Sequence, residues 1–349
     1  MVFLKESEFS KPPSGEGDGM CHIFLPYSDM ARWIPDEGLY REICEAGNVF
    51  RLSGIRQLSN LAYIGPAPER QYMVPTEHTR FDHTVTVASV AEFILRNNDF
   101  PDSDVNKGVA SALVHDTADP AHGDPTMRLD PKNLDEEDNL KSALNSTFEK
   151  TLQKYGIQFD EVQSIVKNEG VLGQILDIAD RVTYVMKDLF HTGFSGKPER
   201  RDRYNKEISR ILWNFPSIGN IYKDVKVDKE LHQAYFDNPE RLEAFLILRA
   251  LISSKMYFHP FSQGRDLLYI KMMQPFYSSN EGERPLSPNI LRQMNDYQLD
   301  KFLFSQYGND IYLESSLPPH VSEISFDTAI VQFAPDYIRI EKDKTEAEI

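Results

Sequence analysis

The sequence predicts a mainly α protein, and three observations carry that reading. Apolar residues recur at helical spacing through most of 38–305. Strand patterning is thin, and its best runs come late, near 310–314 and in 329–340, where IVQFAPDYIRIE partly alternates. The 349 residues are 40% hydrophobic, enough to bury a large core. Together these imply a helical bundle with additional C-terminal helices and a small β-containing C-terminal appendage.

Taken in order, residues 1–37 read as an N-terminal arm, partly disordered, because the first 20 are rich in Ser, Gly, Pro and charge. A core over 38–200 follows, then a helical extension over 201–305 and an appendage and tail over 306–349, ending KDKTEAEI. In 82–97, Val87, Val90 and Ile94 continue the line of His83 at i+4, i+7 and i+11. The stretch 105–116, VNKGVASALVHD, predicts a short buried helix capped by Asp102, Ser103 or Asp104. Further helices are expected over 138–154, 171–190, 203–214, 239–257, 262–277 and 288–305, the last with Pro288 near its first turn. The segment 279–288, SNEGERPLSP, reads as a surface loop.

A formal net charge of −16 argues against general nucleic-acid binding, which needs a basic surface. It leaves an anionic small molecule open, since a metal and a few local cations can outweigh the mean charge. The two cysteines, Cys21 and Cys44, point to a reducing, cytoplasmic home. No apolar run approaches the 18 residues of a membrane span, and no secretory signal is seen.

The chemistry gathers around residues 114–124, VHDTADPAHGD. His115-Asp116 closes the apolar run GVASALV, and His83 lies on the apolar stripe of its own helix. Buried imidazoles and carboxylates require partners. A third helix, VLGQILDIADRVTYVMKDLF, offers Asp177 and Asp180, with Asp180, Tyr184 and Asp188 at i, i+4 and i+8 and Lys187 alongside. Taken singly, each is ordinary: a satisfied core histidine, or the wet face of a helix. Three helices each bringing a buried His or Asp suggest more, because two imidazoles and two carboxylates suit a divalent Mn, Mg, Fe, Ni or Zn ion.

The order His83, His115-Asp116, Asp180 resembles the H…HD…D pattern of HD-domain phosphohydrolases. The stretch NVFRLSGIRQLSNLAYIGPAPERQYMVPTEHTRFDHTVTVASVAEFIL is similar to the opening segment of the deoxynucleoside triphosphate triphosphohydrolases. DIADRVTYVMKDL, KMYFHPFSQGRDLLYIKM and MNDYQLDKFLF resemble that group's later blocks, so the likeness runs over about 44–305. It implies an HD-domain helical bundle with His83, His115, Asp116 and Asp180 as metal ligands. It places Arg80 and Arg181 on the phosphates, Tyr184 facing the substrate, Gln57 and Asp188 on the sugar 3′-hydroxyl, and Tyr257 against the sugar. The implied reaction is attack of metal-activated water on the α-phosphorus of a deoxynucleoside triphosphate, releasing nucleoside and triphosphate. A homo-oligomer is implied as well.

The chain departs from the group's "HD.GH.PF.H". Asp119 stands where the proton-transferring histidine falls, Ala121-His122 replaces PF, and Asp124 replaces the last histidine. Asp135 and Glu136 stand where "HE" is usual. Asp119 or His122 would then serve the attacking water, or Asp119 would hold a second metal completed by His122 or Asp124. Retained hydrolysis is the expected outcome. The competing readings are a nucleotidase or phosphodiesterase on the same fold, and a non-catalytic nucleotide-binding regulator.

Overall fold

The computed structural model describes residues 20–57, 79–191, 203–258 and 260–307. It opens with an antiparallel hairpin, β1 (Cys21–Phe24) and β2 (Ala31–Ile34), pairing Cys21 with Ile34 and Phe24 with Ala31. Ile23, Leu25 and Ile34 are fully or almost fully buried, so the expected loose arm is ordered from residue 20 onward. Four-residue strands are too short for alternation to announce them. The strands expected at 310–314 and 329–340 lie outside the described residues.

Helix α1 (Gly38–Ala46) leads into a 3-10 turn over Val49–Gly54. Helix α2 (Arg80–Asn97) is the centre of the bundle. Thr79 caps it by accepting the Asp82 N–H at 3.2 Å. Val85, Val87, Ala88, Val90, Ala91, Ile94 and Leu95 are buried, so apolar residues surround α2 instead of forming one stripe.

Helix α3 (Asp102–Val114) packs along α2. Its N-cap is Pro101, and no side chain caps it, contrary to the expectation for Asp102, Ser103 or Asp104. Asp102 and Asp104 instead occupy the first turn, where a carboxylate favours the positive end of the helix dipole. The close crossing requires Gly108: a Cβ there would come within 2.4 Å of Leu95 Cδ1.

Two short helices follow, α4 (Asp124–Met127) and α5 (Pro131–Leu134). The helix expected over 138–154 is two: α6 (Glu136–Ala143) and α7 (Phe148–Lys154). The break docks on α1, where Asn145 donates its side-chain amide to Glu45 O at 2.8 Å and its backbone N–H to Ala46 O at 3.1 Å. A tertiary anchor outweighs helix period there. Helix α8 (Phe159–Val166), which the sequence reading omits, precedes the long α9 (Gly170–His191). Helix α9 packs against α2 on the side next to α3.

After α10 (Arg203–Asn214), a second hairpin, β3 (Val225–Asp228) with β4 (Gln233–Phe236), lies against α9. Helix α11 (Pro239–Ile252), capped by Asn238, runs on into a π-helical turn over Ser253–Tyr257. Helix α12 (Pro260–Met273) follows. The helix expected over 288–305 is again two, α13 (Pro288–Gln293) and α14 (Asp296–Tyr307).

Apolar burial forms two clusters among the described residues. The larger spans β1, β2 and helices α1–α3 and α6–α11. The smaller joins Tyr269, Met273, Leu286, Leu291, Leu299 and Leu303 to Ala121 and Leu134, so the loop after α3 belongs to the C-terminal helices. The Ala121 N–H donates to Leu291 O at 3.0 Å, stapling that loop in place. Among the described residues, no helix is long and apolar enough to cross a membrane.

Candidate metal centre and substrate cleft

Three helices meet at one end of α2. Arg80 and His83 share a face of its first turns. His115 ends α3, and Asp116 begins the turn beyond it. Asp180 sits mid-way along α9. The packing of α2, α3 and α9 therefore brings these four side chains together. His83 Nε2 lies 2.8 Å from Asp180 Oδ1 and 3.7 Å from Asp116 Oδ2. His115 Nε2 lies 3.3 Å from Asp116 Oδ1 and 3.7 Å from Asp180 Oδ1. His83 and Asp116 are almost wholly buried.

These residues fit a metal ion on three counts. Their N···O separations suit ligands about 2.0–2.2 Å from one shared ion. The orientation of His115 is that of a ligand: Nδ1 is 2.8 Å from the Ala112 carbonyl, which only accepts, so Nδ1 carries the proton and Nε2 turns its lone pair to the cluster. That Nε2 is buried and makes no hydrogen bond. Finally, the potential is strongly negative. Burial disfavours charge on His115, yet Asp116 and Asp180 outweigh it and lift its pKa to about 9. Against the same burial penalty, His115 and His83 hold Asp180 well below the usual carboxylate range.

Arg80 lies beside this cluster, with Nη1 2.5 Å from Asp119 Oδ2 and 3.3 Å from Asp116 Oδ1, and Nη2 3.5 Å from Asp124 Oδ1. Gly123, at φ +53°, lets the loop pass: a Cβ there would stand 3.0 Å from Arg80 Nη2. Asp119 is fully buried. Burial pushes its carboxyl up to about 6, against the pull of Arg80. Arg51 positions the same loop from behind, donating to the carbonyls of Thr117 at 2.9 Å, Asp119 at 2.5 Å and Met294 at 2.9 Å.

The cluster opens into a cleft of about 510 Å³, a size that admits a small-molecule ligand. Gln57, Arg80, Arg181, Tyr184, Asp188 and Tyr257 all line it, as do His83, His115, Asp116 and Asp180. The Gln57 side-chain oxygen is buried and accepts no hydrogen bond. Tyr257, at the end of the π-helical turn, donates its hydroxyl to Asp188. Burial raises Asp188 to about 7, with the Tyr257 bond pulling the other way. The rings of Tyr184 and Tyr257 meet edge to face at 6.3 Å.

Three expected residues are placed differently from the rest, and one of them, Asp119, is fully buried, paired with Arg80, and does not line the cleft where it was expected to serve the attacking water. Arg181 lines the cleft, but its guanidinium is taken by Asp177, with Nε 2.8 Å from each carboxylate oxygen. His122, expected to serve the attacking water, does not line the cleft. Its φ of +63° turns the ring into the smaller core. There Nε2 is 2.9 Å from Asp300 Oδ1, the ring lies 4.7 Å from Tyr269, and the backbone N–H donates to Asp296 Oδ1 at 2.8 Å.

Sequence reasoning missed Arg249, which lines the cleft with its guanidinium over the Tyr184 ring at 6.0 Å. Among the described residues it pairs with no carboxylate, unlike Arg80 and Arg181. Its only signal was an arginine in the otherwise apolar run LILRALI of α11. Lys187 was noticed without a role. It is fully buried and bonds the Asp82 carboxylate, tying α9 to α2 one residue from His83.

The fold is shared with solved structures. A hypothetical protein from Aquifex aeolicus aligns with a TM-score of 0.54 at 17% identity, over 80% of this chain and 70% of that one. A phosphohydrolase from Bacteroides thetaiotaomicron aligns with a TM-score of 0.53 at 18% identity, over 86% of this chain and 70% of that one. At such identities the likeness is one of fold. No protein-family model and no curated protein sequence matches the chain.

Proposed function

We propose that this protein is a metal-dependent phosphohydrolase that cleaves a deoxynucleoside triphosphate to nucleoside and triphosphate. The observation that supports this most is the convergence of His83, His115, Asp116 and Asp180 at the floor of a cleft with cations on its walls. Those four residues would hold a divalent ion, which when bound acidifies water and offsets phosphate charge.

The remaining work falls to the chain itself. Arg80, fixed by three carboxylates, presents a buried positive charge beside the reacting phosphate, where low dielectric strengthens it. Arg249, which pairs with no carboxylate among the described residues, offers a second guanidinium for the outer phosphates. The Asp188–Tyr257 pair and the Gln57 oxygen present hydroxyl-sized polar partners elsewhere in the cleft, suited to a sugar edge. Asp119, fully buried against Arg80, orients that guanidinium, while His122 keeps the loop in register.

The test uses the full chain, each deoxynucleoside triphosphate in turn, and Mn²⁺ or Mg²⁺, with products separated by ion exchange. Nucleoside plus triphosphate is expected. Mononucleotide or orthophosphate would instead select a phosphodiesterase or nucleotidase. Saturable binding without turnover by folded, metal-loaded protein would overturn hydrolysis in favour of a nucleotide-binding regulator.

A further inference from the structure

Tyr257, whose hydroxyl meets Asp188, is held at its backbone as well as at its tip. The side-chain amide of Gln263 donates to its carbonyl. The oxygen of that amide accepts from Arg128 Nη1 at 2.9 Å, and the same nitrogen lies 3.4 Å from Asp266 Oδ2. Arg128 closes α4, the short helix that begins at Asp124, directly after the Gly123 that packs on Arg80. We propose that Gln263 is a positioning residue for Tyr257, bridging the π-helical turn to Arg128 and so to the loop beside Arg80. This deepens the reading of Tyr257 as a sugar contact, and rests on that reading for its kinetic consequence alone.

The chemistry of a carboxamide fixes the direction of this bridge. A guanidinium only donates and a backbone carbonyl only accepts. The Gln263 oxygen must therefore face Arg128, and its nitrogen must face Tyr257. A carboxylate of the same length would keep Arg128 but turn an acceptor toward the Tyr257 carbonyl. Asp266, on the same face of α12 one turn along, is buried and gives Arg128 its second acceptor. Both partners of the guanidinium thus come from one helix.

The elements at the two ends of the bridge differ in how firmly they are held. Helix α12 packs on α4, and Met273 and Met127 share the smaller apolar cluster, so that end is anchored in a core. The other end is the π-helical turn, which Tyr257 closes. Carbonyls at the end of a helical segment lack partners from the segment itself. The turn is closed locally by the Phe258 N–H, which donates to Ser253 O at 2.9 Å. Gln263 supplies the acceptor at Tyr257 with its donor, and thereby ties the tyrosine backbone to the anchored side. Its hydroxyl then reaches Asp188 from a fixed base.

The test compares Gln263→Glu and Arg128→Ala with wild type as full-length protein. In metal-free samples carrying ring-13C tyrosine, NMR reports the Tyr257 hydroxyl bond without substrate, its resonance assigned by its loss in Tyr257→Phe. That resonance should move in both variants. With Mn²⁺ added, KM for a deoxynucleoside triphosphate should rise about 3- to 10-fold, the worth of one hydrogen bond, with kcat nearly unchanged. The inhibition constant of inorganic tripolyphosphate, which has no sugar, should stay at its wild-type value. Arg128→Lys, which keeps a donor toward the Gln263 oxygen, should restore the wild-type resonance and KM. Should Q263E fail a circular-dichroism check of folding, Arg128→Ala decides alone, since that side chain is 32% exposed. An unmoved Tyr257 resonance in the folded variants would overturn the proposal, as would equal weakening of nucleotide and tripolyphosphate. Absence of turnover by wild type would overturn the proposed reaction, while the resonance would still decide the positioning.

Discussion

The hydroxyl of Tyr257 donates to the carboxylate of Asp188, joining the π-helical turn after α11 to the last turn of α9 across the cleft. A π-turn is a costly irregularity that commonly marks a functional position. Here it sets the Tyr257 hydroxyl against a buried carboxylate of the cleft.

That pair makes a pH prediction. Asp188 rises from the ordinary 3.8 to about 7 on folding, chiefly through burial. The native state therefore binds a proton there that the unfolded chain releases, so this contribution is full below about 4 and lost as pH rises to about 7. In metal-free protein, Asp188→Asn should flatten the fall of the thermal midpoint between pH 5 and 8, an effect on the order of 4 kcal/mol at most. Tyr257→Phe removes a bond that lowers the Asp188 pKa and should shift the transition to higher pH. Unaltered pH profiles in both variants would count against the pairing.

Chelation and ligand loss should act alike. Treatment with EDTA, His83→Ala and Asp180→Ala should each reduce hydrolysis at least about 100-fold. Metal analysis should show the two variants depleted, and Mn²⁺ should restore the chelated wild type alone. Full metal content in both variants would exclude these residues as ligands.

Gly123→Ala tests the support of Arg80. The new methyl would stand 3.0 Å from Nη2 at a φ of +53°. A loss of about 1–3 kcal/mol in urea unfolding is expected, with kcat/KM falling more than Tm alone would explain. A fully active, equally stable variant would show that Arg80 has room to move.

The imidazole of His122 should matter to stability more than to chemistry. Burial opposes its charge, but Asp296 and Asp300 raise its pKa, while His122 lowers that of Asp300 against burial. The histidine's contribution is full below about 6.5 and lost as pH rises through its raised folded value. That of Asp300 is full above about 3.8 and lost as pH falls through its lowered one. Asp300→Asn should thus destabilise most between these limits, by about 3 kcal/mol for a broken buried pair. Denaturant melts at pH 4, 5.5 and 8 would reveal this window, and equal losses at all three would refute it.

The clustering of the candidate site was legible because its residues lie on period-bearing helices. Polar groups interrupting the apolar faces of α2, α3 and α9 announced His83, His115-Asp116 and Asp180. What failed were matters of backbone direction and long-range partnership. Standing next to the HD pair in sequence says nothing of where His122 points once its φ turns positive. The breaks between α6 and α7 and between α13 and α14 follow from tertiary docking and capping, which the helical period does not register. Arg249 carried no pattern of its own until the fold brought α11 to the cleft. The first hairpin, four residues a strand, was too brief to pattern at all.

The grip of Arg51 on three carbonyls, two in the loop after α3 and one at Met294, has a modular consequence. Together with the Ala121–Leu291 bond and the His122–Asp300 pair, it makes the C-terminal helices the mould in which that loop sets. A fragment ending before α13 would still encode His83, His115, Asp116 and Asp180. It would lack the wall that holds Asp119 and Gly123 against Arg80, and so would carry the four clustered side chains without the shape of the cleft around them.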